Sequence, residues 1–182
     1  MKIKISAALL ILVMTLLVSG CSQNANEAAF QNAIAFEGGD ECHLCGMLIA
    51  NFEGPKGQAY FDKKPVKFCS TKDLMAYYLD EENTHRVEEI SVHDMAQSHW
   101  DKPNDAHLIN ARQAWFVAGS SKNGAMGPTL ATFKSQVAAE FFAKEFGGQV
   151  LAFDQITQSV LMASPNHGMN AAKTNGHHHH HH

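Results

Sequence analysis

Hydrophobic patterning runs through one order twice along this chain, and that doubling leaves few folds open. Residues 58–61 and 66–69 alternate or run apolar around Asp62-Lys63-Lys64-Pro65, which reads as a β-hairpin. Ser70 and Asp73 then stand at capping-box spacing. Leu74, Met75, Tyr78 and Leu79 share one helical face, and Glu81, Glu82 and Asn83 mark the exit. Residues 87–93 follow as a strand. The second passage has strands at 114–118 and 130–133 and a helix capped by Ser135, with Val137, Phe141, Phe142 and Phe146 as its apolar face. Gly147-Gly148 stops that helix, and residues 150–156 close the passage as a strand. From the strand phenylalanine to the valine of the last strand is 19 residues in the first passage (Phe68 to Val87) and 17 in the second (Phe133 to Val150). One such unit leaves much of its sheet uncovered, so two packed together make the better core. The expected fold is α+β, two similar β-β-α-β halves packed into one domain, with residues 38–95 as the first half and 96–163 as the connection and second half.

Neither end belongs to that fold. Lys2 and Lys4 precede an apolar run, residues 7–14 and 16–18, which closes on Leu17-Val18-Ser19-Gly20-Cys21. The run is shorter than the roughly 18–20 residues of a spanning helix, and small residues ahead of a cysteine suit a peptidase that cuts before Cys21. Residues 1–20 are therefore read as a lipoprotein signal peptide and Cys21 as the lipidated residue, whose several acyl chains hold the protein to a membrane. Residues 21–37, rich in Ala, Asn, Gln and Glu, are read as the tether, and residues 164–176 as a flexible tail carrying His167 and Met169. Residues 177–182 are an expression tag and supply six of the 12 histidines, so histidine richness is not a property of the domain. Without Lys2 and Lys4 the chain keeps 12 basic against 18 acidic residues, a net charge of −6, which argues against a nucleic-acid partner.

Removing the lipidated residue leaves Cys42, Cys45 and Cys69. An odd count does not suit a purely structural disulfide framework, so at least one thiol is free, reactive or a ligand. The chemistry concentrates in Cys42-His43-Leu44-Cys45-Gly46-Met47. A C-x-x-C step brings two sulfurs close enough for a shared metal or a disulfide, and Gly46 permits a turn that swings Met47 back toward them. Thiolate with thioether is the soft donor set that selects Cu(I), whereas zinc sites use Cys, His and carboxylate. Met47 read alone is equally a core side chain. Met126, between Gly124-Ala125 and Gly127-Pro128, sits on a turn with little packing reason to be there, at the sheet end that corresponds to Gly54-Pro55-Lys56-Gly57. His43 lies inside the motif, where a residue between two ligands usually points outward. Cys69, between a strand and a helix, reads as a buried inert thiol.

These motifs carry a resemblance. Cys42-His43-Leu44-Cys45-Gly46-Met47, Gly54-Pro55-Lys56-Gly57-Gln58, Met126-Gly127-Pro128 with Leu130 and Phe133, and Gly147-Gly148 before the last strand together resemble the NosL family of nitrous oxide reductase accessory lipoproteins. The resemblance implies a periplasm-facing monomer, lipid-anchored to the inner or outer membrane and related in fold to the organomercurial lyase accessory fold. It would bind Cu(I) and serve assembly of the copper-sulfide centre of nitrous oxide reductase, with that enzyme and its assembly machinery as partners. By motif it implies Cys42, Cys45, Met47 and Met126 as metal ligands, to which His43 is added as a candidate. The donors outnumber what one Cu(I) needs, which leaves room for Zn(II) as a second ion. Two other classes stay open on the residues alone: a thiol-disulfide oxidoreductase, or a zinc-binding module using Cys42 and Cys45. Gly46 directly after the pair disfavours the helix that would activate Cys42, and no second Cys or Cys/His pair completes a zinc module. No Ser-His-Asp set, phosphate loop or paired carboxylates stand out, so the chain is read as a non-enzyme.

Overall fold

The computed structural model describes residues 33–62 and 64–163; Cys21, the signal peptide, His167 and Met169 lie outside the described residues. Strand β1 (Gly57–Phe61) and strand β2 (Lys64–Phe68) form the expected hairpin, paired from Gly57↔Phe68 to Phe61↔Lys64. Asp62 turns it with φ 47°, a left-handed conformation that aspartate tolerates better than most residues. Ser70 caps helix α1 (Thr71–Tyr78), its Oγ accepting the Asp73 N–H at 3.0 Å, and Leu74, Met75 and Tyr78 face the core. A one-turn helix α2 (Glu81–Thr84), capped by Asp80, stands where the sequence suggested only an exit. Strand β3 (Val87–His93) returns along the free side of β1. The three-residue strand β4 (Leu108–Asn110) then pairs with the end of β3 and completes an antiparallel sheet of order β2-β1-β3-β4. Hemmed between 3-10 turns at 105–107 and 111–113, β4 is too short to show a period in the sequence.

The second half is built on strand β5 (Trp115–Ala118). The two-residue strands β6 (Asn123–Gly124) and β7 (Gly127–Pro128) make a small hairpin with Ala125 and Met126 at its tip. Strand β8 (Ala131–Phe133) pairs with one edge of β5, helix α3 (Gln136–Phe146) follows with Ser135 as its cap, and strand β9 (Gln149–Ala152) pairs with the other edge. Gly147 and Gly148 both have positive φ. A side chain at Gly148 would also strike the Ala118 carbonyl oxygen at 2.7 Å, so glycine is required where the chain leaves α3. β9 ends earlier than expected because residues 153–155 tighten into a 3-10 turn, and a short helix α4 (Gln158–Met162) follows. In both sheets the first strand of the passage is central, with the second and last strands on its two sides.

One expectation for α3 fails. Val137 and Phe141 are 75% and 71% exposed. The covered stripe of the helix is Ala138, Ala139, Phe142 and Ala143, packed with Phe133, Trp100 and Trp115. A single helix against a three-stranded sheet buries only one narrow stripe, and the apolar face read from the sequence was wider than that.

The main core spans both halves: Phe68, Leu74, Met75, Ile90 and Val92 pack in one cluster with Phe116, Leu130, Leu151 and Ile156. Backbone and side chain stitch the halves as well. Thr132 Oγ1 donates to the His93 carbonyl at 2.7 Å, and the Met95 N–H donates to the Thr132 carbonyl at 2.8 Å. The last residues of the expected tether are strapped to the first sheet. Ile34 exchanges two hydrogen bonds with the buried Gln58 amide, Lys67 Nζ donates to the Ala35 carbonyl, and the Phe36 N–H donates to Asp105 Oδ2 at 2.8 Å. Asp105 Oδ1 in turn holds His93 Nε2 at 2.8 Å, and Phe36 stacks on the His93 ring.

Candidate metal centre

The cysteine loop leads directly out of that strap. Glu41 and Leu48 form an antiparallel bridge, the Cys42 N–H donates to the Met47 carbonyl at 2.8 Å, and the Gly46 N–H donates to the Cys42 carbonyl at 2.8 Å. Gly46 has φ 72°, the left-handed turn the sequence required of it. The loop is held to β2 by the His43 N–H on the Lys67 carbonyl at 2.8 Å. This docks Cys42 and Cys45 against the junction where β2 ends and α1 begins, which carries Cys69.

The outcome is a cluster of four donors. Cys42, Cys45 and Cys69 sulfurs and an Asp73 oxygen all lie within 4.8 Å of one another, about the span across which one ion bound to sulfur at roughly 2.3 Å can reach. All three cysteines are free thiols; Cys42 and Cys69 are buried and Cys45 is partly exposed. Cys45 and Cys69 sulfurs stand 3.6 Å apart, and the Cys69 thiol donates to Asp73 Oδ2 at 3.0 Å.

Ionisation is shared unequally. Burial opposes the Cys42 thiolate, but the N–H groups of Cys69, Cys45 and Leu44 and the Cys45 thiol turn toward its sulfur and bring its pKa below the ordinary thiol value. Burial pushes Cys45 up, as does its neighbour Cys42. Burial and the Asp73 carboxylate push the Cys69 thiol far up. Cys42 is thus the thiol that ionises first, and the Cys69 proton rests against Asp73.

Cys69 is buried, as the sequence suggested, but its sulfur stands among the clustered donors and not apart from them. Asp73 was missed because its spacing from Ser70 explained it as half of a capping box; its N–H does bond Ser70, but its carboxylate turns to Cys69. His43 is exposed, with its ring edge-on to Tyr77 at 5.3 Å and Phe68 at 6.0 Å, and is not among the clustered donors. Met47 is half-buried against the main core. Met126 is 62% exposed at the tip of the β6–β7 hairpin. That hairpin lies against the Gly54 loop as the sequence suggested: a Cβ at Gly54 would sit 3.3 Å from the Asn123 carbonyl oxygen. The chain just past the hairpin is joined to the turn after Cys69, through Thr71 Oγ1 to Thr129 Oγ1 at 3.2 Å and to the Leu130 carbonyl.

Fold and site together define an α+β domain that gathers three thiols and a carboxylate within reach of a single metal ion, where the cysteine loop meets the end of β2 and the start of α1. The NosL family profile matches residues 33–161, and the chain belongs to that family. It is 41% identical over 165 residues to the copper-binding lipoprotein NosL of Stutzerimonas stutzeri, covering 90% of this chain and 87% of that one. It is 34% identical over 131 residues to the copper-binding lipoprotein NosL of Achromobacter cycloclastes, covering 69% and 68%. The crystal structure of the copper chaperone NosL from Shewanella denitrificans matches with TM-score 0.69 at 53% identity, over 70% of this chain and 96% of that one.

Proposed function

We propose that this protein is a lipid-anchored, periplasm-facing copper chaperone that holds Cu(I) at the cysteine cluster and delivers it for assembly of the copper-sulfide centre of nitrous oxide reductase. The observation that carries the reading is the convergence of three thiols at one loop with one of them, Cys45, partly exposed. Sulfur donors select a soft monovalent ion over hard or borderline ones. An accessible, incompletely enclosed site also suits cargo that must pass through an intermediate sharing ligands with the recipient. The names of the relatives, copper-binding lipoprotein and copper chaperone, support the same cargo.

Cys42, Cys45 and Cys69 are the central ligands of this proposal, with Met47 and Met126 as thioether donors and His43 at the rim. Asp73 gives the cluster one oxygen donor, which favours a borderline ion beside copper, and Zn(II) is the second ion of the proposal. Cys21 carries the lipid. Competition of the tag-free, anaerobically reduced protein with a Cu(I)-specific chelator tests the reading. Cu(I) should be preferred to Zn(II) by orders of magnitude. Zinc binding of equal strength, unaffected by Met47→Ala, would instead mark a structural zinc site.

A further inference from the structure

The loop between the cysteine motif and β1 carries Lys56, whose environment calls for an explanation. This lysine is only 5% exposed, and lysines are almost never fully buried unless paired. Its ammonium donates to two neutral carbonyls, Phe52 at 2.6 Å and Glu53 at 2.8 Å. Among the described residues it forms no ion pair. Its counter-charge has to come from elsewhere.

The strand register indicates where. Gly57 faces Phe68 at the end of the β1–β2 ladder, and Lys56 and Cys69 are the residues that adjoin that last pair on the two chains. The two backbones stay adjacent beyond them with the register shifted by one residue, the Thr71 N–H donating to the Pro55 carbonyl at 3.2 Å. Lys56 thus sits in a stretch of backbone that borders Cys69. Burial draws the Lys56 pKa down to about 8; the exposed Glu53 carboxylate acts weakly the other way, and a thiolate at Cys69, once its proton is displaced, acts so more strongly. The side chain is therefore still a cation at neutral pH.

We propose that Lys56 is a specificity-determining residue of the metal site, its buried ammonium supplying the positive charge that lets the cysteine cluster prefer Cu(I) to Zn(II). The proposal rests on the copper reading above. Metal loading displaces protons from the thiols and leaves thiolates. With the same donors, a Cu(I) assembly is one charge unit more negative than a Zn(II) assembly, so a fixed neighbouring cation stabilises the copper form more. Lys56 need touch neither ion for this to hold.

The test is the pair of dissociation constants for Cu(I) and Zn(II), measured anaerobically on the tag-free protein and its Lys56→Gln and Lys56→Leu variants. Glutamine keeps hydrogen-bond donors for the Phe52 and Glu53 carbonyls and removes only the charge; leucine removes both and serves where glutamine disturbs folding, as judged by apo-protein melting. The Cu(I):Zn(II) affinity ratio should fall roughly tenfold or more in either folded variant, the size expected of a unit charge at this range in a partly buried site. An unchanged ratio would overturn the proposal. This holds whether both affinities stay as they were or fall together, as they would if Lys56 only braces the loop. Wild-type protein that fails to bind Cu(I) would refute the copper reading itself and this inference with it. Intact wild-type binding with an unchanged variant ratio refutes the role of Lys56 alone.

Discussion

Cys69 shows how one side chain changes meaning once its neighbours are known. In the chain it follows an apolar strand and precedes a helix cap, a position where a cysteine is usually a small hydrophobe. In the fold it lies 3.6 Å from Cys45 and bonds Asp73, a sequence neighbour that the cap alone had explained. Only the docking of the residue 42–47 loop onto β2 reveals the pairing, and a single sequence carries no signal of that contact. Cys69→Ser should therefore weaken Cu(I) at least tenfold, about 1.4 kcal/mol, in chelator competition, while Asp73→Asn should weaken Zn(II) more than Cu(I). Met126 belongs to the same scale. Being 62% exposed, it contributes little to packing, so Met126→Leu should leave the apo-protein melting temperature unchanged. As a ligand it would cost Cu(I) binding roughly 1–3 kcal/mol on that replacement. Copper bound equally well by the leucine variant would return Met126 to the surface.

Elements with strong local signals were legible to within a residue or two. β3 was read at its observed bounds because β-branched Val87, Ile90 and Val92 punctuate the segment, and Ser70 and Ser135 cap the helices they were expected to cap. What the sequence could not show was how much of an apolar face the partner sheet would cover, as Val137 and Phe141 demonstrate, or that a three-residue strand would pair with the end of β3. The strap over the first sheet was also unreadable, since Ala-, Asn- and Gln-rich composition looks alike docked or free. Part of its hold is Asp105, where burial works against the carboxylate but the His93 ring and the Phe36 N–H bring its pKa below the ordinary 3.8. A lowered folded-state pKa contributes stability that is fully present above 3.8 and lost as pH falls through the folded value. Asp105→Asn should thus destabilise the protein by about 1–3 kcal/mol at pH 7. The two melting curves should converge in acid below pH 3.8. A constant gap from neutral into acid would show that the carboxylate charge is not what holds the strap.

The molecule as a whole has one principal core shared by both sheets, so its halves should not melt separately. Phe116→Ala, at the meeting point of the two, should cost about 3–5 kcal/mol and lower a single cooperative transition rather than split it. Anchorage is separable from this. Cys21→Ser should release the protein from membranes while leaving copper affinity as it was, and wild-type protein recovered without lipid would remove the anchor from the proposal. If Cys21 carries the lipid as proposed, the strap gives that anchor a definite reach. With residues from Ile34 onward fastened to the sheet, only the stretch from Cys21 to Ile34 separates lipid from domain, and a chain of that length spans at most about 45 Å. Under the proposed lipidation and copper delivery, the domain is held in a shallow layer above the bilayer, and a recipient has to bring its own metal-accepting mouth down into that layer. Lengthening the leash would change how often donor and recipient meet without altering a single ligand.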